Sequence, residues 1–251
     1  MSISRRMKNN SSIFDRRSLQ KVLGADTPFA IKEAYNAIRT NLMFTSRGET
    51  CPIYAITSSG PSEGKTLNAI NMSISFAQMG KRVLLIDADL RNPTINKYFN
   101  VSSGDGLSEF LAGMKNEVNL RHTDVDNLSI LTGGKCPPNP AELLTNEKMK
   151  DLIELFKQHF ECIFIDTPPI ELVTDASVIS GMVTGYLFVV KNGATELAMV
   201  KHSISALEYV GANVLGFLLN DVNPKSRRYY KSYKHNYSYY KKDYSYTSSN
   251  K

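Results

Sequence analysis

Short runs of apolar residues alternate with longer segments of helical periodicity along most of the chain. The runs are rich in Val, Ile, Tyr and Phe, which are typical of buried strands. This alternation favours the α/β class, in which helices cover a mostly parallel sheet. The predicted strands span residues 52–57, 82–88, 127–132, 162–167, 186–191 and 213–219.

Helices are predicted between these strands and before the first of them. They span about 30–44, 65–79, 106–113, 140–159, 172–182 and 195–210. In the last of these helices, apolar residues recur at three- and four-residue steps, which predicts one face packed on the core. These residues are Leu197, Val200, Ile204 and Leu207.

The carboxyl-terminal end breaks this pattern. Residues 227–246 hold eight of the thirteen tyrosines, at spacings that match neither a helix nor a strand. Such a polar stretch buries too little apolar area to offset its ordering entropy, so it predicts a disordered tail. The tyrosines are Tyr229, Tyr230, Tyr233, Tyr237, Tyr239, Tyr240, Tyr244 and Tyr246.

The pattern predicts three parts of the chain. They are a flexible basic segment (1–28), one α/β domain (29–222) and a tyrosine-cluster tail (223–251). The chain has 251 residues, enough for one large domain with a well-buried core.

Positive charge is concentrated at the two ends. Residues 1–21 carry +5 and residues 225–251 carry +7, so the segment between them carries −6 in a chain of net charge +6. Basic ends suit anionic lipid, a partner or solubility, and nucleic acid is not an expected partner. The three cysteines are an odd number without metal-ligand spacing, which is typical of reduced thiols in a cytoplasmic protein. No apolar run is long enough to span a bilayer, so a partner would have to hold the chain at a membrane.

The first strand leads into TSSGPSEGKTL, residues 57–67. In a phosphate-binding loop, successive backbone N–H groups wrap the phosphates, a lysine adds positive charge and a hydroxyl binds Mg²⁺. Lys65 and Thr66 hold these two positions, although Ser59 stands where the usual spacing places glycine. The predicted ATP-binding residues are Ser59, Gly60, Pro61, Ser62, Glu63, Gly64, Lys65, Thr66 and Leu67.

Acidic residues follow two later strands. VLLIDADLR places Asp87 and Asp89 after the second strand, and CIFIDTPP places Asp166 after the fourth. Because the carboxyl ends of parallel strands line one rim of a sheet, these carboxylates and the loop are expected to share an edge. Three carboxylates repel one another without a cation, so the sequence predicts Mg²⁺ at this rim.

Together these motifs resemble the bacterial tyrosine kinases that regulate capsular and extracellular polysaccharide synthesis, in their separate Gram-positive cytoplasmic form. The matching pieces are SSGPSEGKT, LLIDADLR, FIDTPP, PPNPAELL at 137–144, and the tyrosine cluster. The resemblance covers nearly the whole chain. It implies a P-loop NTPase-like fold and an ATP-dependent protein-tyrosine kinase, in which one subunit phosphorylates the tail of another.

The resemblance also implies roles for individual residues. Lys65 and Arg91 are expected to act in catalysis, with Mg²⁺ held by three residues. Asp87 is the candidate for accepting the tyrosine proton, although strand-end geometry leaves the assignment between Asp87 and Asp89 open. Asn220 is expected to contact the adenine, with a turn residue as the alternative. The expected metal ligands are Thr66, Asp89 and Asp166.

Partners are implied in the same way. The expected partners are a membrane adaptor, whose cytoplasmic segment recruits the kinase to the inner face of the membrane and activates it, and a cognate tyrosine phosphatase. Unphosphorylated subunits are expected to assemble into a ring. Family members carry Glu-x-x-Arg-x-x-Arg in the first helix, whereas this chain has Glu33, Asn36 and Arg39, so the middle charge is missing.

Two other functions are open on the sequence. One is a P-loop ATPase switch that positions cargo or division sites. Such proteins carry an extra lysine five positions before the loop lysine, where this chain has Gly60, and they need no tyrosine-rich tail. The other is a binding module with a degraded loop, which the intact lysine, threonine and aspartates disfavour.

Overall fold

The computed structural model describes residues 21–222. Within them a seven-stranded sheet has the order β3-β4-β2-β5-β1-β6-β7. The strands are β1 (Ile53–Ser58), β2 (Val83–Asp87), β3 (Arg121–His122), β4 (Leu128–Leu131), β5 (Cys162–Asp166), β6 (Gly185–Lys191) and β7 (Val214–Asn220). In this part of the chain every neighbouring pair is parallel except β3 with β4. The prediction of an α/β fold with a mostly parallel sheet is confirmed.

Helices cover both faces of the sheet. They are α1 (Phe29–Thr45), α2 (Lys65–Ala77), α3 (Ile95–Tyr98), α4 (Leu107–Leu111), α5 (Pro140–Thr145), α6 (Glu147–His159), α7 (Asp175–Val178) and α8 (Leu197–Tyr209), with a 3₁₀ turn at Ser180–Met182. No helix between residues 21 and 222 is long and apolar enough to cross a bilayer.

The six predicted strands are confirmed, but two predicted helices are wrong in extent. The helix over 140–159 is interrupted at Asn146, which has extended backbone angles and accepts a hydrogen bond from the Lys148 N–H, capping α6. The helix over 172–182 is reduced to α7 and the 3₁₀ turn. Neither β3 nor α3 was predicted, because two and four residues are too few to show a period.

The apolar stripe of α8 is only partly buried. Val200 and Leu207 belong to the core, and Ile204 packs against it. Leu197 does not, because 69% of it is exposed. The prediction of a fully packed stripe is therefore wrong at its first residue.

Two apolar layers lie on opposite faces of the sheet. On one face the rings of Tyr54, Phe76 and Phe164 contact one another with centroids 5.2 to 6.0 Å apart. On the other face Ile163, Ile165 and Phe188 pack beneath the remaining helices. Every residue of β1, β2 and β5 is buried, which fixes the carboxyl ends of these strands at one rim.

The strand register places two of the predicted acidic residues side by side. In the pairing of β2 with β5, Asp87 lies opposite Asp166. The rim is completed by the loop that joins β1 to α2. The order β2-β5-β1 therefore brings both acidic loops and the phosphate-loop sequence to one edge of the sheet.

The segment before α1 contacts the domain. Leu23 is buried, and its N–H donates a hydrogen bond to Asn71 Oδ1 at 2.8 Å. The eight tail tyrosines and the first twenty residues lie outside the described residues.

Candidate active site

The loop between β1 and α2 has the backbone shape of a phosphate nest. Gly64 has φ of +96° and Ser62 has φ of +61°, so the backbone turns through left-handed angles just before the helix. A Cβ atom at Gly64 would collide with the Asn220 side-chain amide, which explains the glycine. Successive N–H groups in such a turn, followed by a helix amino terminus, favour an anion.

Lys65 lies between two carboxylates. Its Nζ donates a hydrogen bond to Asp89 Oδ2 at 2.7 Å and is 3.6 Å from Asp166 Oδ1. Burial opposes the charged lysine, but the carboxylates of Asp166 and Asp89 outweigh this effect and raise the pKa of Lys65. Lys65 is therefore a cation, and both carboxylates are partners that an incoming phosphate would have to replace.

Thr66 and Asp166 are in direct contact. The threonine hydroxyl donates to Asp166 Oδ2 at 2.6 Å, whereas Asp166 Oδ1 is buried and accepts no hydrogen bond from the described residues. Asp87 has a similar arrangement. Its Oδ2 accepts from the N–H groups of Thr94 and Ile95, at 2.9 and 3.0 Å, and its Oδ1 has no hydrogen-bond partner in the described part of the chain.

The electrostatics of this rim favour a cation. Burial raises the pKa of Asp87, and repulsion from Asp166 adds to the effect. Burial also raises the pKa of Asp166, partly opposed by Lys65. Asp166 Oδ1 has Lys65 Nζ only at 3.6 Å, and Asp87 Oδ1 has no hydrogen-bond partner among the described residues, so a further positive charge would stabilise both oxygens. The donor set is therefore that of a hard divalent ion, which prefers oxygen ligands.

The rim does not form a complete metal cage. No group of three or more His, Cys, Asp or Glu side chains among the described residues is arranged to hold a metal. Such a site suits Mg²⁺, which usually keeps several waters and takes its remaining ligands from phosphates and one or two carboxylates.

A cavity of about 1200 Å³ opens above the loop. Besides Lys65 and Asp89, it is lined by Arg91 and Lys97, which are positive, and by Pro169 and Leu172, which are apolar. Of the predicted nucleotide loop, the lining residues are Pro61, Ser62, Gly64, Lys65, Thr66 and Leu67. The volume exceeds the usual upper range of a small-molecule pocket, so there is room for a nucleotide and part of a second group.

Two other predicted residues, Asn220 and Glu63, hold the loop together. Asn220 Nδ2 donates to the Glu63 backbone carbonyl at 2.8 Å, so the residue predicted to contact adenine supports the phosphate loop. Glu63 Oε1 accepts from the Gly60 N–H at 3.1 Å. The contacts of Asn220 and Glu63 therefore fix the shape of the loop. Ser59 is fully buried, but its hydroxyl has no hydrogen-bond partner in the described part of the chain.

The predicted assembly residues of α1 make contacts within their own chain. Arg39 Nη1 donates to the carbonyl and the hydroxyl of Ser75 on α2, at 2.6 and 2.9 Å. Glu33 Oε1 accepts from Asn36 Nδ2 at 2.8 Å. Arg39 thus joins α1 to α2 in the single chain.

The sequence did not point to Asp175 or to the polar residues behind the loop. Asp175 binds Arg91 through two hydrogen bonds of 2.9 Å. Tyr35 OH donates to Asn68 Oδ1 at 2.7 Å, and Asn68 Nδ2 donates to the Gly64 carbonyl at 2.9 Å. An aspartate at a helix start and polar residues in amphipathic helices are common, so neither carries a local signal.

Comparison with known proteins agrees with this geometry. The AAA domain family matches residues 53–190. The chain is 36% identical over 206 residues to tyrosine-protein kinase YwqD of Bacillus subtilis, which covers 81% of this chain and 87% of that protein. It spans only 27–30% of the length of the longer relatives, tyrosine-protein kinase ptk of Acinetobacter johnsonii and etk of Escherichia coli, at 36% identity.

Solved structures show the same relationship. The kinase domain of the Escherichia coli tyrosine kinase ETK matches with a TM-score of 0.74 and 36% identity over 78% of this chain and 77% of that one. The chimerical protein CapA2B2 matches with a TM-score of 0.75 and 31% identity over 83% and 91%. The Mg-ADP complex of the septum site-determining protein MinD from Pyrococcus horikoshii is more distant, with a TM-score of 0.59 and 25% identity over 71% and 73%.

These matches confirm the P-loop NTPase-like fold. They also distinguish between its branches, because identity and TM-score are both higher with the kinase domains than with MinD. The chain belongs to the family of bacterial tyrosine-protein kinases.

Proposed function

We propose that this chain is an ATP-dependent protein-tyrosine kinase that phosphorylates its own tail tyrosines, one subunit acting on another. The observation that carries the proposal is the position of Lys65, between Asp89 and Asp166 at the base of a phosphate-shaped loop. Phosphoryl transfer depends mainly on positioning and on charge stabilisation, and this arrangement supplies both. Family membership supports the tyrosine as acceptor.

ATP and Mg²⁺ fit the residues at the rim. The loop N–H groups and Lys65 would hold the phosphates, and Thr66, Asp89 and Asp166 would hold the metal directly or through water. Mg²⁺, when bound, neutralises charge on the phosphate oxygens. Asp166 Oδ1 accepts no hydrogen bond from the described residues, and the pKa values of Asp87 and Asp166 are raised. Both observations support a bound cation. The related MinD crystallised with Mg-ADP, which also supports the pair of ligands.

Two carboxylates remain candidates for accepting the tyrosine proton. Asp89 lines the cavity and bonds to Lys65, so an approaching phosphate would free it. Asp87 is fully buried, and its Oδ2 is engaged by two backbone N–H groups at the start of α3. The contacts therefore favour Asp89 as the carboxylate that faces the acceptor, as a metal ligand or as the base, and Asp87 as the group that shapes the loop after β2.

The acceptor in this proposal is the tyrosine cluster at 229–246. The tail carries +7 and the body of the chain is acidic, so the tail of a second copy is attracted to the rim. Each phosphorylation adds about −1.5 to −2 charges, so several events would reverse the tail's charge and release it. In this proposal the α/β domain (29–222) is the catalytic domain and the tyrosine-cluster tail (223–251) is its substrate. The basic segment (1–28) precedes the catalytic domain.

The cellular setting is also a proposal. A membrane adaptor's cytoplasmic segment would recruit the kinase to the inner face of the membrane and activate it, and a phosphatase would reset the tail. Unphosphorylated copies would form a ring through α1, and the cycle would regulate capsule or exopolysaccharide synthesis. The contact of Arg39 with Ser75 means that a ring would use the surface of α1 and α2 together.

A P-loop ATPase switch is the second candidate, favoured by the fold that the chain shares with MinD. Gly60 occupies the place of the extra lysine that such switches use. The Gly60 N–H is also occupied by Glu63 within the same loop. Both observations favour the kinase.

The test is phosphorylation of the purified full-length chain with Mg-ATP, with and without an adaptor segment. Phosphotyrosine would be mapped by mass spectrometry. We expect phosphate on the 229–246 tyrosines, stimulation by the adaptor segment, and loss of the signal in Lys65→Met. The control is Lys201→Met, which changes an exposed lysine of α8. ATP hydrolysis without phosphotyrosine, even with the adaptor present, would favour the ATPase switch.

A further inference from the structure

Asp175 is a buried carboxylate outside the predicted site. It is the first residue of α7, and its side chain is fully buried. The guanidinium of Arg91 donates from Nε to Asp175 Oδ2 and from Nη2 to Oδ1, each at 2.9 Å. This parallel, two-bond geometry is the strongest form of a charged hydrogen-bonded pair, and it fixes direction as well as distance.

The pair connects the two acidic loops of the rim. Arg91 belongs to the loop that follows β2 and carries Asp89, whereas Asp175 closes the loop that starts at Asp166. The last backbone contact between β2 and β5 at this end is the hydrogen bond from the Ala88 N–H to the Asp166 carbonyl, at 2.8 Å. Beyond it, the Arg91–Asp175 pair joins the two loops through two further hydrogen bonds.

Such a link is needed because the loops carry like charges. Asp89 and Asp166 both lie within 4 Å of Lys65 Nζ, so they repel each other once a phosphate takes that lysine. Asp89 and Asp166 would hold a cation together only if the separation of their two loops is restrained. The Arg91–Asp175 pair adds one positive and one negative charge to the rim, so it restrains the loops without changing their net charge.

Burial distinguishes the two partners. The side chain of Arg91 is 43% exposed and lines the cavity, but two of its donors are directed at Asp175. Asp175 is not the cap residue of α7; that position belongs to Thr174, which makes no side-chain cap bond. Both carboxylate oxygens of Asp175 instead accept hydrogen bonds from Arg91.

We infer that Asp175 is a positioning residue of the proposed phosphoryl transfer: through Arg91 it holds the Asp89 loop at the distance from the Asp166 loop that Mg²⁺ requires. The inference rests on the proposed function for its catalytic consequence. Its effect on Mg²⁺ and nucleotide binding is independent of whether a tyrosine is the acceptor. Residues that orient metal ligands in this way typically change affinity or activity by about 10- to 100-fold when mutated.

The test is a double-mutant cycle of Asp175→Asn, Arg91→Gln and both together in the full-length chain. Two quantities would be measured: the Mg²⁺ concentration for half-maximal ADP binding, and the kcat and KM for ATP in tail phosphorylation. We expect each single variant to raise the Mg²⁺ requirement by about tenfold. Affinity for ADP without Mg²⁺ should stay within about twofold, and kcat should fall more than KM rises.

The double variant decides between positioning and direct action. If the two residues act as one unit, the double variant is no worse than the worse single variant. If Arg91 acts alone on the phosphates, Arg91→Gln impairs the protein and Asp175→Asn leaves both quantities at wild-type values, which would overturn the inference. Additive losses would overturn it as well. Glu147→Gln, which removes an exposed carboxylate from an ion pair on α6, is the matched control.

Two further outcomes are separable. If the wild type binds Mg-ADP but forms no phosphotyrosine, the proposed function fails and the Mg²⁺ measurement alone tests the inference. If the Asp175 variants do not fold, Arg91→Lys decides, since it keeps the charge at the cavity but cannot make both hydrogen bonds. A raised Mg²⁺ requirement in Arg91→Lys supports positioning, and a wild-type requirement contradicts it.

Discussion

Two buried polar regions flank the phosphate loop, and they are built in opposite ways. In front of it lies the charged rim of Lys65, Asp87, Asp89 and Asp166. Behind it lies a neutral network in which Tyr35, on α1, connects to residues of α2. Among the residues that the structure describes, no group donates a hydrogen bond to Oδ1 of Asp87 or to Oδ1 of Asp166. The network has none of its side-chain atoms among the unsatisfied groups of the described chain.

The network forms a continuous chain of hydrogen bonds from the loop to the segment before α1. Asn68 links the Gly64 carbonyl to Tyr35 OH, and Asn71 Nδ2 donates to the same hydroxyl at 3.0 Å. Asn71 Oδ1 then accepts from the Leu23 N–H. Each bond is neutral, so it contributes its modest net energy without the desolvation cost of a charge.

The difference teaches how the fold separates support from chemistry. A satisfied neutral network stabilises one conformation of the loop. The charged rim has carboxylate oxygens without hydrogen-bond partners, and a bound cation and phosphate would supply the missing interactions. Mutations behind the loop should therefore change stability more than chemistry. Mutations in front of it should do the reverse.

The largest expected effect is on the chemistry of the rim. Thr66→Ala removes the hydroxyl that bonds to Asp166 and that would contact Mg²⁺. We expect kcat for tail phosphorylation to fall roughly 10²-fold, the scale for losing one group that stabilises transition-state charge. Thr66→Ser keeps the hydroxyl and should retain most activity. Equal activity of the alanine and serine variants would show that the hydroxyl has no part in catalysis.

The second effect is on stability. Tyr35→Phe removes the shared hydroxyl and leaves Asn68 Oδ1 and one Asn71 donor bond unmet in a buried site. We expect the free energy of unfolding to fall by about 1–3 kcal/mol, measured by urea denaturation. Tyr209→Phe is the control, because Tyr209 is 92% exposed. A stability loss as large in the control, or none in Tyr35→Phe, would contradict the supporting role of the network.

The two regions also differ in how far the sequence predicts them. The rim follows from local signals, since acidic residues that end parallel strands must meet at one edge, and the register of Asp87 with Asp166 confirms the juxtaposition. The roles of these residues stay predictions. The network depends on how α1 lies against α2, and no local pattern identifies Tyr35 as a partner of Asn68. Asp175 was not predicted for the same reason, because its partner Arg91 lies in another loop.

Some errors in the fold had signals that the periodicity concealed. Asn146 precedes Glu147 and begins a new helix, and an asparagine at that position is a favoured cap. The apolar period on both sides of it predicted one helix. Leu197 follows the helical period of α8, yet it is the first residue of the helix and is largely exposed. Periodicity predicts a face, but not where its cover ends.

The third effect is a pH-dependent increase in the stability of the protein when Asp87 is replaced by asparagine. Burial raises the pKa of Asp87 above its ordinary value, so the folded protein keeps a proton that the unfolded chain releases. The stabilisation linked to this proton is complete below the ordinary carboxyl pKa and is lost as the pH rises through the raised pKa. Asp87→Asn cannot ionise, but its amide oxygen still accepts from the Thr94 and Ile95 N–H groups.

We therefore expect Asp87→Asn to stabilise the metal-free protein at pH 8.5, by about 1–2 kcal/mol, and to change it little at pH 4.5. Thermal unfolding of both proteins at the two pH values, in EDTA, measures the difference. Asp126→Asn, at an exposed position in a loop, is the control. A difference that is the same at both pH values would mean that the carboxylate of Asp87 is not destabilised by its burial.

The smallest effect sets the scale for the other three. Glu154 and Lys157 form an ion pair of 3.0 Å on the surface of α6, with side chains 68% and 38% exposed. Water and salt screen such a pair, so Lys157→Ala should lower the free energy of unfolding by less than about 0.5 kcal/mol, and 0.5 M NaCl should remove the difference. Urea denaturation with and without salt measures both values. A larger loss that persists in salt would mean that an exposed charge pair of this protein is as strong as a buried one, and burial would then not explain the large effects expected for the charges of the rim.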